Sequence, residues 1–332
     1  MVRYRAGVAA DSPPSFVVVG EALIDLVPAD DGAYLARPGG SPLNVAVGLA
    51  RLGQPTALAG RLSGDPFGTV LRQHLARSHV DLRYVQAAPE VSTIALVEVS
   101  GGQARYQFSA DGADFQWTPD GLAFLPAGAR AVHFGSLASW LPPGDSAIAG
   151  AISRTRSGGT VLVSYDPNVR PALQPDAAAA RVKVERAVAT AHVVKASSED
   201  LEWLYGARGR AGVAARWLEL GADLVVVTTG PGGATGWTRQ GLAVTRPAHP
   251  VVIADTVGAG DAFTSGLLDA LARAGRLGPV ALAAGLDAPA LAQVLGEASL
   301  VAALTCARPG ANPPWRAEVE AQLRSSLGAP RR

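Results

Sequence analysis

The chain has 332 residues, 29 basic and 28 acidic, with a net charge of +1 and 48% hydrophobic content. That size allows one large α/β domain with an elaboration, or two domains, with ample core material and no composition bias toward disorder. The near-neutral balance, with arginines spread along the chain, argues against a nucleic-acid partner, and the single cysteine, Cys306, excludes an internal disulfide or a multi-cysteine zinc site. Residues 1–15 read as a flexible arm: the apolar run after the charged start is too short for a signal peptide, and Pro13 and Pro14 precede the first strand. From Phe16 onward, "SFVVVG", "TALAG", "RAVHFGS", "TVLVSYDP", "AHVVKAS" and "ADLVVVTTG" each predict a buried strand. Helical patterns lie between them. In "SPLNVAVGLARLG", Val45, Leu49 and Leu52 share a face, Ser41 is placed as N-cap, Pro42 as first residue and Gly53 as stop. This alternation predicts a doubly wound, mainly parallel sheet flanked by helices, with ligands beyond the carboxyl ends of its strands.

One region breaks the pattern. Residues 91–110, "VSTIALVEVSGGQARYQFSA", predict a hairpin across Gly101-Gly102. With residues 26–37 it predicts a small β lid, an extension of the main sheet being the alternative. The rest, 16–325, reads as one α/β domain, with 326–332 as a C-terminal tail. No stretch reaches the roughly 20 apolar residues of a membrane span, and a cytoplasmic setting suits the lone cysteine.

The stretch "DTVGAGDAF", residues 255–263, places Gly258, Ala259 and Gly260 before Asp261 at a helix start. Amides there point outward unpaired, which suits an anion approached closely by the backbone. The anion is not held by a Walker loop: neither lysine, Lys183 nor Lys195, follows a glycine. A protein-kinase catalytic loop, a dinucleotide GxGxxG after the first strand, zinc-hydrolase histidine spacing and a GxSxG elbow are absent as well.

Two longer signatures, "PGGSPLNVAVGLARLG" (38–53) and "DTVGAGDAFTSGLL" (255–268), resemble the ribokinase-like (PfkB) family of carbohydrate kinases from about Val17 to about Pro314. "GEALIDLVP" and "DPNVRP" look most like its bacterial fructokinase branch. The resemblance implies an ATP-dependent sugar kinase acting on a primary hydroxyl, with D-fructose the leading acceptor. 2-Keto-3-deoxygluconate, ribose and adenosine remain alternatives, and a catalytically silent sugar or nucleotide sensor is the rival of another class.

It also implies roles. Asp261 becomes the base on the acceptor hydroxyl, with the Gly258-Ala259-Gly260 backbone as anion hole for the γ-phosphoryl group. Asp25, Gly39, Gly40 and Asn44 hold sugar hydroxyls, with Arg105 and Arg170 as further substrate contacts. Lys195, Thr228, Gly230, Gly233 and Ser299 fall to ATP. Asp166, Asn168 and Asp200 organise Mg2+ indirectly, although Ser197 and Asp200 replace the family's Asn and Glu and put the metal geometry in question. Asp255, with Val257, Arg308 and Gly310, is placed around a monovalent cation, K+. Phe115 and Trp117 either close over the sugar or pack in the core. The resemblance further implies a homodimer through the lid, with no membrane partner.

Overall fold

The computed structural model describes residues 13–29, 31–100, 103–109, 112–118, 120–122 and 128–328. Its strands are β1 (Phe16–Val19), β2 (Leu23–Pro28), β3 (Tyr34–Gly39), β4 (Thr56–Ala59), β5 (Arg61–Ser63), β6 (Gln86–Ala88), β7 (Ile94–Ser100), β8 (Gln103–Phe108), β9 (Ala131–Gly135), β10 (Leu162–Asp166), β11 (Val193–Ser197), β12 (Leu224–Thr228), β13 (Ala234–Thr238) and β14 (Ala243–Arg246). Its α-helices are α1 (Ser41–Arg51), α2 (Pro66–Arg77), α3 (Asp145–Ser157), α4 (Ala177–Val188), α5 (Ser198–Tyr205), α6 (Arg210–Leu220), α7 (Ala259–Arg273), α8 (Pro279–Ala283), α9 (Ala288–Cys306) and α10 (Arg316–Gly328).

The main sheet runs β14-β13-β12-β11-β10-β9-β1-β4. From β4 to β12 every pairing is parallel; β13 and β14 add an antiparallel edge. Both faces are buried, which is why the strands read as unbroken apolar runs. In β1, Phe16 and Val18 pack into the cluster containing Leu43 of α1, Phe263 of α7 and Leu291 of α9. Val17 and Val19 point the other way, into the cluster of Ile148, Val184, Leu201 and Trp217 from α3 to α6. The chain leaves β1 toward β4 on one side and continues through β9 and β10 on the other. The crevice at that reversal is where ligands bind in open α/β sheets.

A second sheet, β3-β2-β7-β8, stands apart from the first. This decides for a separate lid over an extension of the main sheet. Its strands reach further than residues 26–37: β2 starts at Leu23 and β3 ends at Gly39. The Gly101-Gly102 turn lies outside the described residues, as does the arm through residue 12. At the other end, α10 carries helix to Gly328, past the boundary expected at 325. Among the described residues α9 is long and apolar enough to cross a membrane, yet half of it is buried and it packs on α7. Phe115 and Trp117 are core residues, in separate buried clusters.

Candidate active site

Helix α7 opens at Gly258, whose φ of 75° lies in the left-handed region. A Cβ there would also sit 2.6 Å from the Ala311 side chain, so glycine serves both the turn and the packing. The first helical bond runs from Ala262 N–H to Gly258 O at 2.8 Å. The Ala259 N–H turns back to Thr256 O at 3.2 Å, so it does not face outward as the sequence suggested. Gly258 and Gly260 line the cavity in front of the helix; Ala259 does not.

Asp261 sits one turn into α7 and is held from α1. Ser41 Oγ donates to Asp261 Oδ1 at 2.6 Å, and Asn44 Nδ2 donates to Oδ2 at 2.8 Å. Ser41 is therefore the first residue of α1 rather than its side-chain cap, the cap position being Gly40. Burial pushes the Asp261 carboxyl pKa up; the Ser41 and Asn44 hydrogen bonds and the Lys195 charge pull it back. A carboxyl shifted upward by burial and still oriented by two donors is placed to take a proton as a base.

Asp261 looks into a cavity of about 350 Å³ whose wall includes Glu21, Asp25, Gly40, Asn44, Asn168 and Arg170. Phe108 of the lid strand β8 also lines it. Burial pushes Asp25 up to about 6; Arg170 acts against the shift and Asp261 adds to it. Gly39 does not line the cavity. It leaves room for Asp25, since a Cβ at Gly39 would fall 2.1 Å from Asp25 Oδ2. Arg105 lies on β8 opposite Glu98, and its side chain is outside the described residues.

On the far side of α7's first turn, Lys195 Nζ pairs with Asp166 Oδ2 at 3.0 Å, both side chains buried. Lys195 is thus neither solvated nor remote from the anion hole: a Cβ on Gly260 would lie 3.1 Å from its Nζ. Asp166 Oδ1 accepts from Asn168 N–H, which shapes the turn after β10. Asp200 Oδ1 accepts from Val169 N–H at 2.9 Å, and Oδ2 from Ser197 N–H and Oγ at 2.9 and 2.8 Å. Both Asp200 oxygens serve the capping box of α5 and the 166–170 turn, a scaffold role rather than direct metal ligation.

Thr228 ends β12 and donates to Ala196 O at 3.4 Å. Gly230 follows with φ 53° and open space where a Cβ would project, so a ligand could approach. Gly233 has a different reason: a Cβ would meet Arg246 O at 2.0 Å, so the close β13–β14 edge requires it. Ser299 is buried in α9. Asp255 joins two loops, accepting from Val257 N–H at 3.0 Å and Gly310 N–H at 2.8 Å. The Arg308 side chain is committed to Glu318 on α10, leaving only its backbone for a cation.

Residues 14–318 match the description pfkB family carbohydrate kinase. The chain belongs to the pfkB family of carbohydrate kinases. A fructokinase of Klebsiella pneumoniae is 38% identical over 289 residues, 86% of this chain and 92% of that protein. The fructokinase of Xylella fastidiosa solved with bound ATP superposes with a TM-score of 0.85 at 28% identity, covering 95% of this chain and 99% of that one. The fructokinase of Vibrio cholerae O395, solved with fructose, ADP and calcium ion, gives 0.79 at 30% identity, covering 92% and 98%. This pfkB-family chain is a phosphotransferase acting on sugars, with the ribokinase-like fold its sheet order and separate lid display.

Sequence reasoning gave no site role to several of this kinase's cavity residues, among them Glu21, Ser41, Phe108 and Ser136. Glu21 carried a signal, a lone acid directly after a buried strand. The others did not, because Ser41 finds Asp261 only across 220 residues of chain.

Proposed function

We propose that this kinase transfers the γ-phosphoryl group of ATP to a primary hydroxyl of D-fructose, giving fructose 6-phosphate and ADP. The reading rests above all on Asp261: one carboxylate, fixed by Ser41 and Asn44, borders both the glycine-rich helix start and a polar cavity of sugar size. Asp25, Asn44, Asn168 and Arg170 supply acceptors and donors suited to a polyol. Asp261 accepts the hydroxyl proton as the sugar oxygen bonds to phosphorus and the bond to the ADP oxygen breaks. The Gly258 and Gly260 amides, the helix dipole and Lys195 face the charge spread over the transferring oxygens. Thr228 and Gly230 border the nucleotide. Fructokinase names among the relatives support fructose over the other acceptors.

Among the described residues no group of three or more His, Cys, Asp or Glu could hold a metal ion. A metal ion would then be carried by the nucleotide phosphates and water, with Asp166 the residue that would hold its water shell, while the Asn168 amide is engaged by Arg170 and Ser136 on the sugar side. Mg2+, when bound, neutralises phosphate charge. Asp255 with backbone carbonyls near Val257, Arg308 and Gly310 is a donor set for K+; equal rates in potassium and tetramethylammonium buffers would remove that part of the reading. The test of the acceptor is ATP consumption with fructose, 2-keto-3-deoxygluconate, ribose and adenosine in turn. Fructose should give the highest kcat/KM, and faster turnover of another acceptor would displace it.

A further inference from the structure

Glu21 lies where the chain leaves the central sheet for the lid, between the end of β1 at Val19 and the start of β2 at Leu23. It is 1% exposed and has no salt-bridge partner among the described residues. A buried carboxylate in that position is costly unless donors satisfy it. Its partners come from the turn after β9: Ala138 N–H donates to Oε2 at 3.1 Å, and the Ser136 hydroxyl beside it favours the ionised carboxylate against the burial that pushes its pKa up.

The bonds continue from there in one direction. Arg170 donates through a terminal guanidinium nitrogen to Asn168 Oδ1 at 2.7 Å. That fixes the Asn168 amide so that Nδ2 donates to Ser136 Oγ at 3.3 Å. With its oxygen accepting from Asn168, Ser136 has its proton left for Glu21. The series Arg170, Asn168, Ser136 therefore passes donor to acceptor at each step and points at Glu21, whose ionised form accepts at its end. Among the described residues three non-glycine residues have positive φ, and two of them are Ser136 at 55° and Asn168 at 40°. Strained backbone persists where surrounding bonds hold it, and here the two strained residues are the middle links of the series.

Resting on the acceptor assignment above, we propose that Glu21 is a positioning residue for the sugar site, terminating a hydrogen-bond relay through Ser136 and Asn168 that aims Arg170 at the acceptor. Gln at this position has nearly the same shape but carries its own N–H donors. Its carbonyl oxygen can take the Ala138 N–H bond in place of Oε2, but its NH2 group then opposes the incoming proton of Ser136. The relay then loses its end, Asn168 is free to turn over, and Arg170 loses its 2.7 Å side-chain anchor, keeping only longer bonds to the Asn168 and Val169 carbonyls. Nothing in the relay touches Thr228, Gly230 or the helix α7 amides, so ATP handling is left alone.

The experiment is steady-state kinetics of Glu21→Gln, Asn168→Ala and the double variant, with fructose or whichever acceptor the parent enzyme turns over. Parent turnover reads the acceptor assignment; the comparison among variants reads the relay. Glu21→Gln should raise the sugar KM about tenfold, the scale of one charge-assisted hydrogen bond, with the ATP KM unchanged. Combined with Asn168→Ala it should add nothing further to the sugar KM. A parental sugar KM, an equal rise in both KM values, or additive losses in the double variant would overturn the proposal. If Glu21→Gln does not fold, Ser136→Ala, which removes the middle hydroxyl alone, is judged by the same criteria.

Discussion

Asp261 and Asp25 face one cavity and are tuned differently. Asp261 has two side-chain donors, Ser41 and Asn44, working against the burial that raises its pKa. Asp25 has the Arg170 charge acting against burial, and it is pushed up to about 6. Folded Asp25 takes its proton near pH 6 and the unfolded residue near 3.8, so its ionisation costs stability above pH 6, a cost relieved as pH falls through 6 toward 3.8. Asp25→Asn should therefore raise the melting temperature of the free enzyme by about 2–4 °C at neutral pH, with the gain gone near pH 4. In the parent, the sugar KM should rise as pH drops below about 6, where one Asp25 oxygen turns from acceptor to donor and the negative charge is lost. A flat sugar KM between pH 5 and pH 8, read in initial-rate assays, would contradict this role for Asp25. Residues such as these were legible because each lies in a short run beside a strand end or helix start. Ser41 was legible as a helix-start residue only, since a serine before proline looks like a cap and its partner lies on another helix.

At the level of elements, the start of α7 carries the most chemistry per residue. Gly258 combines a left-handed φ with contact to Ala311, so Gly258→Ala should cost about 1–3 kcal/mol of stability, measured by urea denaturation. It should also lower kcat, because the amides of the turn move from the phosphoryl oxygens. Parental kcat in a folded Gly258→Ala variant would separate this turn from the chemistry. The parallel strands β1, β4 and β9 to β12 were readable because burial on both faces leaves apolar runs of four or five residues. The edge strands β13 and β14 were not, because one face is half-exposed and their sequence mixes Thr, Gly and Arg with Val. The second lid hairpin was readable from its two β-rich runs within 91–110, while the first, set at 26–37, was two or three residues short at each end. Leu23 and Gly39 pair across β2 and β3 through backbone bonds that side-chain pattern does not report.

Over the whole molecule, two of the chain crossings between base and lid lie side by side, Glu21 leading out and Gly40 leading back; a Cβ on Gly40 would meet Glu21 O at 2.8 Å. The lid brings Asp25 and Phe108 over the cavity while the base supplies Asp261, so water exclusion during transfer is a property of both parts. The outer lid strand β3 exposes Tyr34 and Leu35, 51% and 46% accessible. On the homodimer reading these residues meet a second copy, so the mass in solution should be that of two chains, and Tyr34→Glu should halve it; a monomeric parent would end that reading.

The central claim is that Asp261 removes the acceptor's proton at the mouth of the glycine-rich turn. The measurement that addresses it most directly is turnover by Asp261→Asn, with sugar and nucleotide affinities of the same variant obtained by calorimetry. The amide is close in shape to the carboxylate and can still accept from Ser41 through its oxygen. The variant's kcat should fall by about 10²–10⁴-fold, the usual contribution of a general base, with both ligands still bound. Turnover within a few-fold of the parent would contradict it, and the base would have to be sought elsewhere in the cavity.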